Sequence, residues 1–294
     1  MAEICAACGG GQLEPHLRVA GDAGRDGLIP DTGRYGTALA DIVRCRDCGH
    51  MQLERFPPEE DLSEAYAEAE SNAYVEEEAG QRETARAILD EIEAHVEPGT
   101  LLDLGSWVGF FLAEAQERGW VGVGVEPSLY ASRFARQRLG LDVRQAGLFE
   151  AALAEAPFDA VFMGDVIEHL PRAGDALDRI AGLLAPSGVL AMALPNAGSR
   201  LARTMGKRWW SVIPTHVHYF TPESVRTMLE RHGYEVVRLT TAPKTFTVGY
   251  YLARLTGYET RLGKGAVAAA RAVGLADRLW TPDFRDRMLV LARR

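Results

Sequence analysis

Short apolar runs alternate with helical stretches along the last two-thirds of the chain. After residue 97, the runs that predict strands are TLLDLGS, VGVGVEP, LDVRQAG, FDAVFMGDV, VLAMALP, YEVVRLTT and DRMLVLARR. Helical periodicity lies between them, around residues 111–118 and 131–139 and in DALDRIAGLL, which the breaker 185–188 separates from the fifth strand. This β-α-β-α order is typical of an α/β domain with a mostly parallel sheet.

The segment before this domain is acidic and helical. Ala85, Ile88, Leu89 and Ile92 recur at helical spacing, and Glu97-Pro98-Gly99 ends the helix. We therefore predict a module over residues 1–56, a helical lid or linker over 57–96, and the α/β domain over 97–294 with an insertion at about 245–282. Apolar stripes in the insertion favour core or a dimer face, with part of a ligand site as the alternative, which leaves monomer and homodimer open.

Composition and charge narrow the class of protein. Hydrophobic residues make up 47% of the 294 residues and charged residues 25%, as in ordinary globular proteins. Apolar segments stay shorter than the ~18 residues of a membrane span, and the N-terminus has no signal-peptide pattern, so we expect a cytoplasmic protein. The net charge of −9 argues against a nucleic-acid partner, because phosphate binding depends on clustered Lys and Arg.

The cysteines form two pairs near the N-terminus. Cys5-x-x-Cys8 and Cys45-x-x-Cys48 are each followed by a glycine. Two residues between thiolates let one tight turn direct both sulfurs to a single ion, so the pattern predicts a structural Zn²⁺ with four protein ligands. Disulfides and free thiols are the alternatives, and His50, beside the second pair, is an alternative ligand.

A glycine-bearing turn follows the first predicted strand of the α/β domain. The strand containing Asp103 runs into Gly105-Ser106-Trp107-Val108-Gly109 and then into a helix. Ligands of open α/β sheets bind at such strand ends, where glycines let the backbone approach closely. Glu126 ends the next strand, 23 residues after Asp103, where its carboxylate can accept hydrogen bonds from ribose hydroxyls. The turn is a weak signal alone and becomes informative together with Glu126.

These motifs resemble those of class I S-adenosylmethionine-dependent methyltransferases. The similar segments are LLDLGSWVGFFL, GVGVEPS and FDAVFMGDVIEHL, with Trp107 where a glycine is common. The resemblance implies a Rossmann-like sheet of seven strands, the last antiparallel, and S-adenosylmethionine as cofactor. It implies roles for Asp103 and Gly105 at the methionine part, Gly109 in the turn, Glu126 at the ribose, Leu148 near adenine, Asp165 beside the sulfonium and Tyr74 at the sulfonium or the acceptor. Strand-end capping is the alternative for Asp103 and Asp165, a solvent-facing side chain for Glu126, and helix packing for Tyr66 and Tyr74.

Histidines supply candidates for a general base. His216 and His218 stand two apart before a helix capped by Thr221 or Ser224, and they share one face if that stretch is extended. The segment is similar to the H-x-x-Y-F-[ST] signature of a group that includes zinc-bearing sugar and natural-product C-methyltransferases, which implies that His216 is the base. Thr215 stands where that group has Glu, and the group's extra C-terminal domain is missing, which weakens a sugar-nucleotide substrate. His169 is a second candidate base, with a structural hydrogen bond as its alternative.

The sequence therefore predicts methyl transfer from S-adenosylmethionine to an oxygen or carbon of a small molecule, a sugar or natural-product intermediate that is free or carrier-linked. Trp209 and Trp210, beside Lys207 and Arg208, suit a sugar ring or a phosphate-bearing carrier, or else pack in the core. The alternative functions are an RNA-modifying methyltransferase, since some rRNA methyltransferases carry an N-terminal cysteine module, and a non-catalytic binding module.

Overall fold

The N-terminal segment folds into a small antiparallel sheet. The computed structural model describes residues 4–21, 35–58, 62, 64, 66–67, 75–254 and 261–294. Within them, β1 (Leu13–Leu17), β2 (Ile42–Cys45) and β3 (Met51–Leu53) pair in that order. The first cysteine pair lies at the turn that precedes β1, and the second lies at the end of β2 and in the turn to β3, so the fold of this sheet brings them together.

A seven-stranded sheet forms the centre of the α/β domain, in the order β10-β13-β8-β7-β4-β5-β6. Strands β4 to β8 are parallel, and β13 is antiparallel to both of its neighbours. The seven strands are β4 (Thr100–Leu104), β5 (Val121–Val125), β6 (Val143–Arg144), β7 (Phe158–Gly164), β8 (Leu184–Pro195), β10 (Glu235–Thr241) and β13 (Arg287–Arg293). The predicted Rossmann-like sheet with its antiparallel last strand is confirmed.

Helices cover this sheet and connect its strands. They are α1 (Glu78–Glu93), α2 (Phe110–Glu117), α3 (Leu129–Arg138), α4 (Ala173–Ala181), α5 (Arg200–Met205), α6 (Pro222–Arg231), α7 (Val248–Arg254) and α8 (Arg261–Ala272). Thr221 and Ser224 cap α6 together, because each side chain accepts the other's backbone N–H. Among the described residues, no helix is long and apolar enough to cross a membrane.

The predicted break before the fifth strand is wrong. β8 begins at Leu184 and includes residues 185–188. Leu184 pairs with Phe158, and the β7–β8 register then shifts before Ala160 pairs with Val189. The strand therefore absorbs the Pro-Ser-Gly segment as an irregularity in its pairing with β7.

Two contacts tie the outer segments to the central domain. Strand β9 (His218–Tyr219) pairs with β3 and so extends the N-terminal sheet with residues from the α/β domain. The insertion contains β11 (Phe246–Thr247), α7, α8 and β12 (Leu279–Trp280), and it is fastened to the start of α1. There the Glu77 carboxylate accepts hydrogen bonds of 2.7 Å from the backbone N–H and the hydroxyl of Thr247.

Candidate functional site

One cavity of about 1050 Å³ lies at the carboxyl ends of the parallel strands. Two sets of side chains line it. The glycine-turn group consists of Asp103, Gly105, Gly109, Glu126 and Leu148. The histidine group consists of Tyr66, Asp165, His169, His216, Lys244 and Arg287. Aromatic side chains of the insertion and its flanks, including Phe246, Tyr251, Trp280 and Phe284, also line the cavity.

The turn after β4 has the backbone that the sequence predicts for a ligand-binding loop. Gly105 and Gly109 have φ of +71° and +88°, and a Cβ on Gly105 would lie 2.5 Å from Cγ2 of Val166. A side chain at either glycine would therefore be strained. Trp107 has φ of +48°, so it adopts the left-handed conformation in which a glycine costs less.

Glu126 holds the turn in place. One carboxylate oxygen accepts the N–H of Trp107 at 2.8 Å, and the other accepts the N–H of Ser128 at 2.8 Å. Each oxygen keeps a second lone pair for a hydroxyl donor. Burial raises the pKa of this carboxyl to about 7, although the two N–H donors act in the opposite direction.

Asp103 is a second buried carboxyl in the glycine-turn group. Its side chain is 2% exposed, and Oδ2 has no hydrogen-bond partner among the described residues. Burial, and then the nearby Glu126, raises its pKa to about 8. An unpaired buried oxygen of this kind is expensive without a donor, so it fits a cationic or N–H group of a ligand.

Leu148 lies in the loop that follows β6, on the cavity wall. Arg179 of α4 donates from Nε to the Leu148 carbonyl at 2.7 Å and from NH2 to the Ala151 carbonyl at 2.8 Å. The guanidinium thus fixes the backbone of this loop and leaves the Leu148 side chain half-buried beside the cavity.

Asp165 forms an ion-paired triad that the sequence did not indicate. Its carboxylate lies 2.5 Å from Nζ of Lys244 and 2.6 Å from NH2 of Arg287. Burial alone would raise the pKa of Asp165, but Arg287 and Lys244 hold it well below its usual range. The residue itself has φ of +56°, which turns the chain sharply at the end of β7. Its cluster joins the end of β7 to the edge of the insertion and to β13.

His216 has a defined tautomer. Its Nδ1 lies 2.7 Å from the Ser211 carbonyl oxygen, which can only accept, so Nδ1 carries the proton. Burial and the neighbouring His169 ring keep the pKa of His216 well below its usual value. The neutral ring therefore has an Nε2 lone pair that can accept a proton, on a side chain that lines the cavity.

His169 packs against His216 with ring centroids 4.5 Å apart. Its Nδ1 donates to the Thr215 carbonyl at 2.9 Å, and the Tyr66 hydroxyl also contacts this nitrogen. Burial lowers the pKa of His169 to about 4. The residue before it, Glu168, is 1% exposed, and burial followed by the charge of Asp165 raises its pKa to about 8.

The stretch from His216 to His218 is not a continuous strand, so the condition for a shared face is not met. Pro214 and Thr215 form a turn, and the chain becomes extended only at His218. His218 packs instead against the N-terminal module. Its Nε2 donates to the Leu170 carbonyl at 3.1 Å, and its Nδ1 lies 3.2 Å from Nε2 of His50.

The structure also separates the two tryptophans and brings the cysteines together. Trp209 is 3% exposed and bonds Asp286, whereas Trp210 lines the cavity. Tyr74 lies outside the described residues. Sequence reasoning missed Lys244, Arg287 and the insertion's aromatics as site residues. Of these residues, only Lys244 could have been noticed in the sequence, because lysine is rare in this chain, which has three.

Cys5, Cys8, Cys45 and Cys48 form one cluster. The sulfurs of Cys5 and Cys48, and those of Cys8 and Cys45, are 3.6 Å apart, and ligand atoms of all four lie within 4.8 Å of one another. Disulfide sulfurs are ~2.05 Å apart, whereas four sulfurs at ~2.3 Å around a tetrahedral ion are nearly 4 Å apart. The glycine after each pair has positive φ, +76° at Gly9 and +70° at Gly49. This geometry fits a zinc module and excludes disulfides in this state. His50 is directed to His218, away from the four sulfurs.

Comparison with known proteins identifies the family. The fold and the strand-end turn define an α/β protein of the class I S-adenosylmethionine-dependent methyltransferase type. Residues 74–239 match the family described as a methyltransferase domain, and the chain belongs to this family.

Individual relatives agree with this assignment. The chain is 26% identical over 230 residues to C-methyltransferase NovU of Streptomyces niveus, covering 75% of this chain and 50% of that protein. It is 30% identical over 168 residues to a ubiquinone biosynthesis O-methyltransferase of Caulobacter vibrioides, covering 50% of this chain and 65% of that one. The chain thus spans about half to two-thirds of these relatives. A SAM-dependent methyltransferase structure from Archaeoglobus fulgidus superposes with a TM-score of 0.52 at 19% identity, over 76% of this chain and all of that one, and so shares the fold.

Proposed function

We propose that the chain transfers the methyl group of S-adenosylmethionine to an oxygen or carbon atom of a small molecule, a sugar or natural-product intermediate. The observation that carries the proposal is that the glycine-turn group and the histidine group line the same cavity. One group has the chemistry to bind the methyl donor, and the other has the chemistry to take a proton. The relatives' names include both a C-methyltransferase and O-methyltransferases, so the proposal includes both acceptor atoms.

The glycine-turn group fits the cofactor. Glu126 would accept hydrogen bonds from the ribose hydroxyls, with its oxygens already aligned by Trp107 and Ser128. The unpaired Oδ2 of Asp103 would accept from the ammonium of the methionine part. Gly105 and Gly109 let the backbone approach the ligand, and Leu148 would lie against adenine.

The histidine group fits an acceptor that loses a proton. In methyl transfer, the acceptor atom attacks the methyl carbon in line with the C–S bond, whose electron pair passes to sulfur and neutralises the sulfonium. The acceptor's proton would pass to Nε2 of His216, because Ser211 already holds the other nitrogen as a donor. His169 and Tyr66 would position the ring and the acceptor. His218 has no such role in this proposal, since it packs against His50.

The four-cysteine cluster would hold a structural Zn²⁺. Four thiolates leave no open coordination position, so the ion would stabilise the N-terminal sheet and not activate water. Burial raises the pKa of Cys5 to about 11, and a bound cation would be needed to hold its thiolate. Metal analysis of the purified protein should give one zinc per chain, and Cys45→Ser should lose it.

The decisive experiment has two stages. Isothermal titration should show S-adenosylmethionine binding to the zinc-loaded protein, and mass spectrometry should then find methylated product among sugar and phenolic acceptors. A folded protein that binds no S-adenosylmethionine would overturn the proposal. A gel shift at low salt tests the RNA alternative, which the net charge of −9 disfavours. Tight, salt-sensitive RNA binding would replace the small-molecule acceptor in the proposal.

A further inference from the structure

Three buried side chains from two distant segments meet beside the cavity. One ligand atom from each of Glu168, His169 and His216 lies within 4.8 Å of the others. All three residues are at least nine-tenths buried, at 1%, 8% and 6% exposure. His169 follows β7 in a short helical turn, and His216 follows the turn at Pro214, so the fold and not the local sequence brings them together.

Both histidines are oriented as metal-binding histidines are. His169 donates from Nδ1 to the Thr215 carbonyl, and His216 donates from Nδ1 to the Ser211 carbonyl. A ligating histidine commonly donates its other ring N–H to a carbonyl or carboxylate, which fixes the tautomer and the ring orientation. These two bonds leave Nε2 of each ring as the nitrogen with a lone pair.

Glu168 has no partner that explains its burial. Neither carboxylate oxygen has a hydrogen bond within the described part of the chain. The nearby cations bond a different carboxylate, since Lys244 and Arg287 both pair with Asp165. Burying a carboxyl without a partner costs free energy. The position of Glu168 beside two oriented imidazoles therefore indicates that these three side chains bind an ion.

We propose that Glu168, His169 and His216 bind a divalent transition-metal ion, at a site separate from the four-cysteine cluster. Two imidazoles and one carboxylate are a ligand set that first-row divalent metals accept, and three protein ligands leave coordination positions open. The His169 and His216 side chains line the cavity, so a cation that they hold would lie beside the space available to a small molecule.

Cation binding at this site does not depend on methyl transfer. The chemistry of the acceptor rests on the proposed function. On that basis, the preferred acceptor presents a hydroxyl oxygen, or two neighbouring oxygens, that the ion can bind. The ion uses the Nε2 lone pair of His216, so this nitrogen is the base in the cation-free protein and a ligand in the cation-bound protein. Adding the cation to the assay therefore changes the turnover number of the wild-type protein.

The test is a Co²⁺ titration of the full-length, zinc-loaded protein in the absence of cofactor and acceptor. We expect one Co²⁺ per chain beyond the zinc, with weak visible absorption typical of nitrogen and oxygen ligands and without an intense thiolate band. Glu168→Gln preserves the shape of the side chain and should weaken Co²⁺ binding at least about tenfold. Asp175→Asn, at a carboxylate that is 60% exposed on α4, should bind Co²⁺ like the wild type.

Two results would overturn the site: no Co²⁺ bound beyond the zinc, or equal Co²⁺ affinity in the wild type and Glu168→Gln. An intense near-ultraviolet thiolate band that accounts for all bound Co²⁺ places the ion at the cysteines and counts as the first of these. Zinc content and S-adenosylmethionine affinity of Glu168→Gln report its folding, and His169→Ala supplies a second variant. Normal Co²⁺ binding by a protein that transfers no methyl group would refute the proposed function alone.

Discussion

The glycine-turn group and the histidine group line one cavity but are assembled in different ways. The glycine-turn group comes from consecutive strands and the turns that follow them, and its geometry depends on backbone conformations such as the positive φ of Gly105 and Gly109. The histidine group comes from residues as far apart as Tyr66 and Arg287, which only the complete sheet and its insertion bring together. Because the two groups are built independently, mutations should separate their effects. Changes in the glycine-turn group should affect cofactor affinity, and changes in the histidine group should affect turnover or stability.

The largest effect is expected for His216→Gln. Loss of a general base costs about 10²–10⁴-fold in the turnover number, and the cofactor affinity should stay at the wild-type value because the glycine-turn group is untouched. Turnover is measured at saturating S-adenosylmethionine with a weak chelator present, and affinity by titration calorimetry. His95→Gln, whose ring bonds the Glu91 carbonyl on α1, is the matched control. Unchanged turnover in His216→Gln removes this residue from the role of base.

Asp165→Asn tests whether the histidine group also stabilises the fold. The change removes the carboxylate charge that Asp165 presents to Lys244 and Arg287, and breaking a buried ion pair costs about 3–5 kcal/mol. Because these side chains are 17–30% exposed, solvent screening should reduce this cost below the fully buried range, to about 2–3 kcal/mol.

The measurement is the urea midpoint, at an unchanged slope. Asp178→Asn, which removes a largely exposed partner of His232, should cost less than about 1 kcal/mol. If the midpoints of the two variants agree, the triad contributes no more than a surface pair, and the histidine group is not part of the stabilising core.

The same difference explains what the sequence could predict. The seven strands, the helix α1 and the strand-end turn follow from periodicity and turn residues, which act over a few positions, and the structure confirms them. The triad could not be predicted, because Asp165 meets Lys244 and Arg287 across 79 and 122 residues, with nothing local to mark the pairs. The shared face of His216 and His218, predicted only for an extended stretch, does not form because the turn at Pro214 and Thr215 interrupts the extended stretch that period-2 alternation needs.

Glu126→Gln tests whether a change in the glycine-turn group affects cofactor affinity and leaves turnover unchanged. Gln has a single acceptor oxygen, so it cannot hold the N–H groups of both Trp107 and Ser128 and also serve the ribose hydroxyls. Hydrogen bonds to a charged group contribute about 1.5–3 kcal/mol, so S-adenosylmethionine should bind about 10–100-fold more weakly. Turnover at saturating cofactor should remain near the wild-type value. Glu117→Gln, at an exposed carboxylate on α2, is the control, and a fall in turnover at saturating cofactor would contradict the separation of the two groups.

The smallest effect is a pH dependence of cofactor affinity to which Glu126 should contribute near pH 7. Burial raises the pKa of Glu126 to about 7 in the ligand-free protein, and the ribose hydroxyls need its ionised form as acceptor. The carboxyl binds a proton as the pH falls below about 7, so the cofactor must displace that proton and its affinity falls, by up to about tenfold per pH unit. Above that pH the Glu126 carboxylate is already ionised, so its contribution to the slope should level off. Titration calorimetry between pH 6 and pH 8 measures the slope, and Glu126→Gln should remove the contribution centred near pH 7. An unchanged slope in the variant would assign the proton to Asp103 alone, whose pKa burial raises to about 8, and would move the pH-sensitive contact from the ribose to the methionine part of the cofactor.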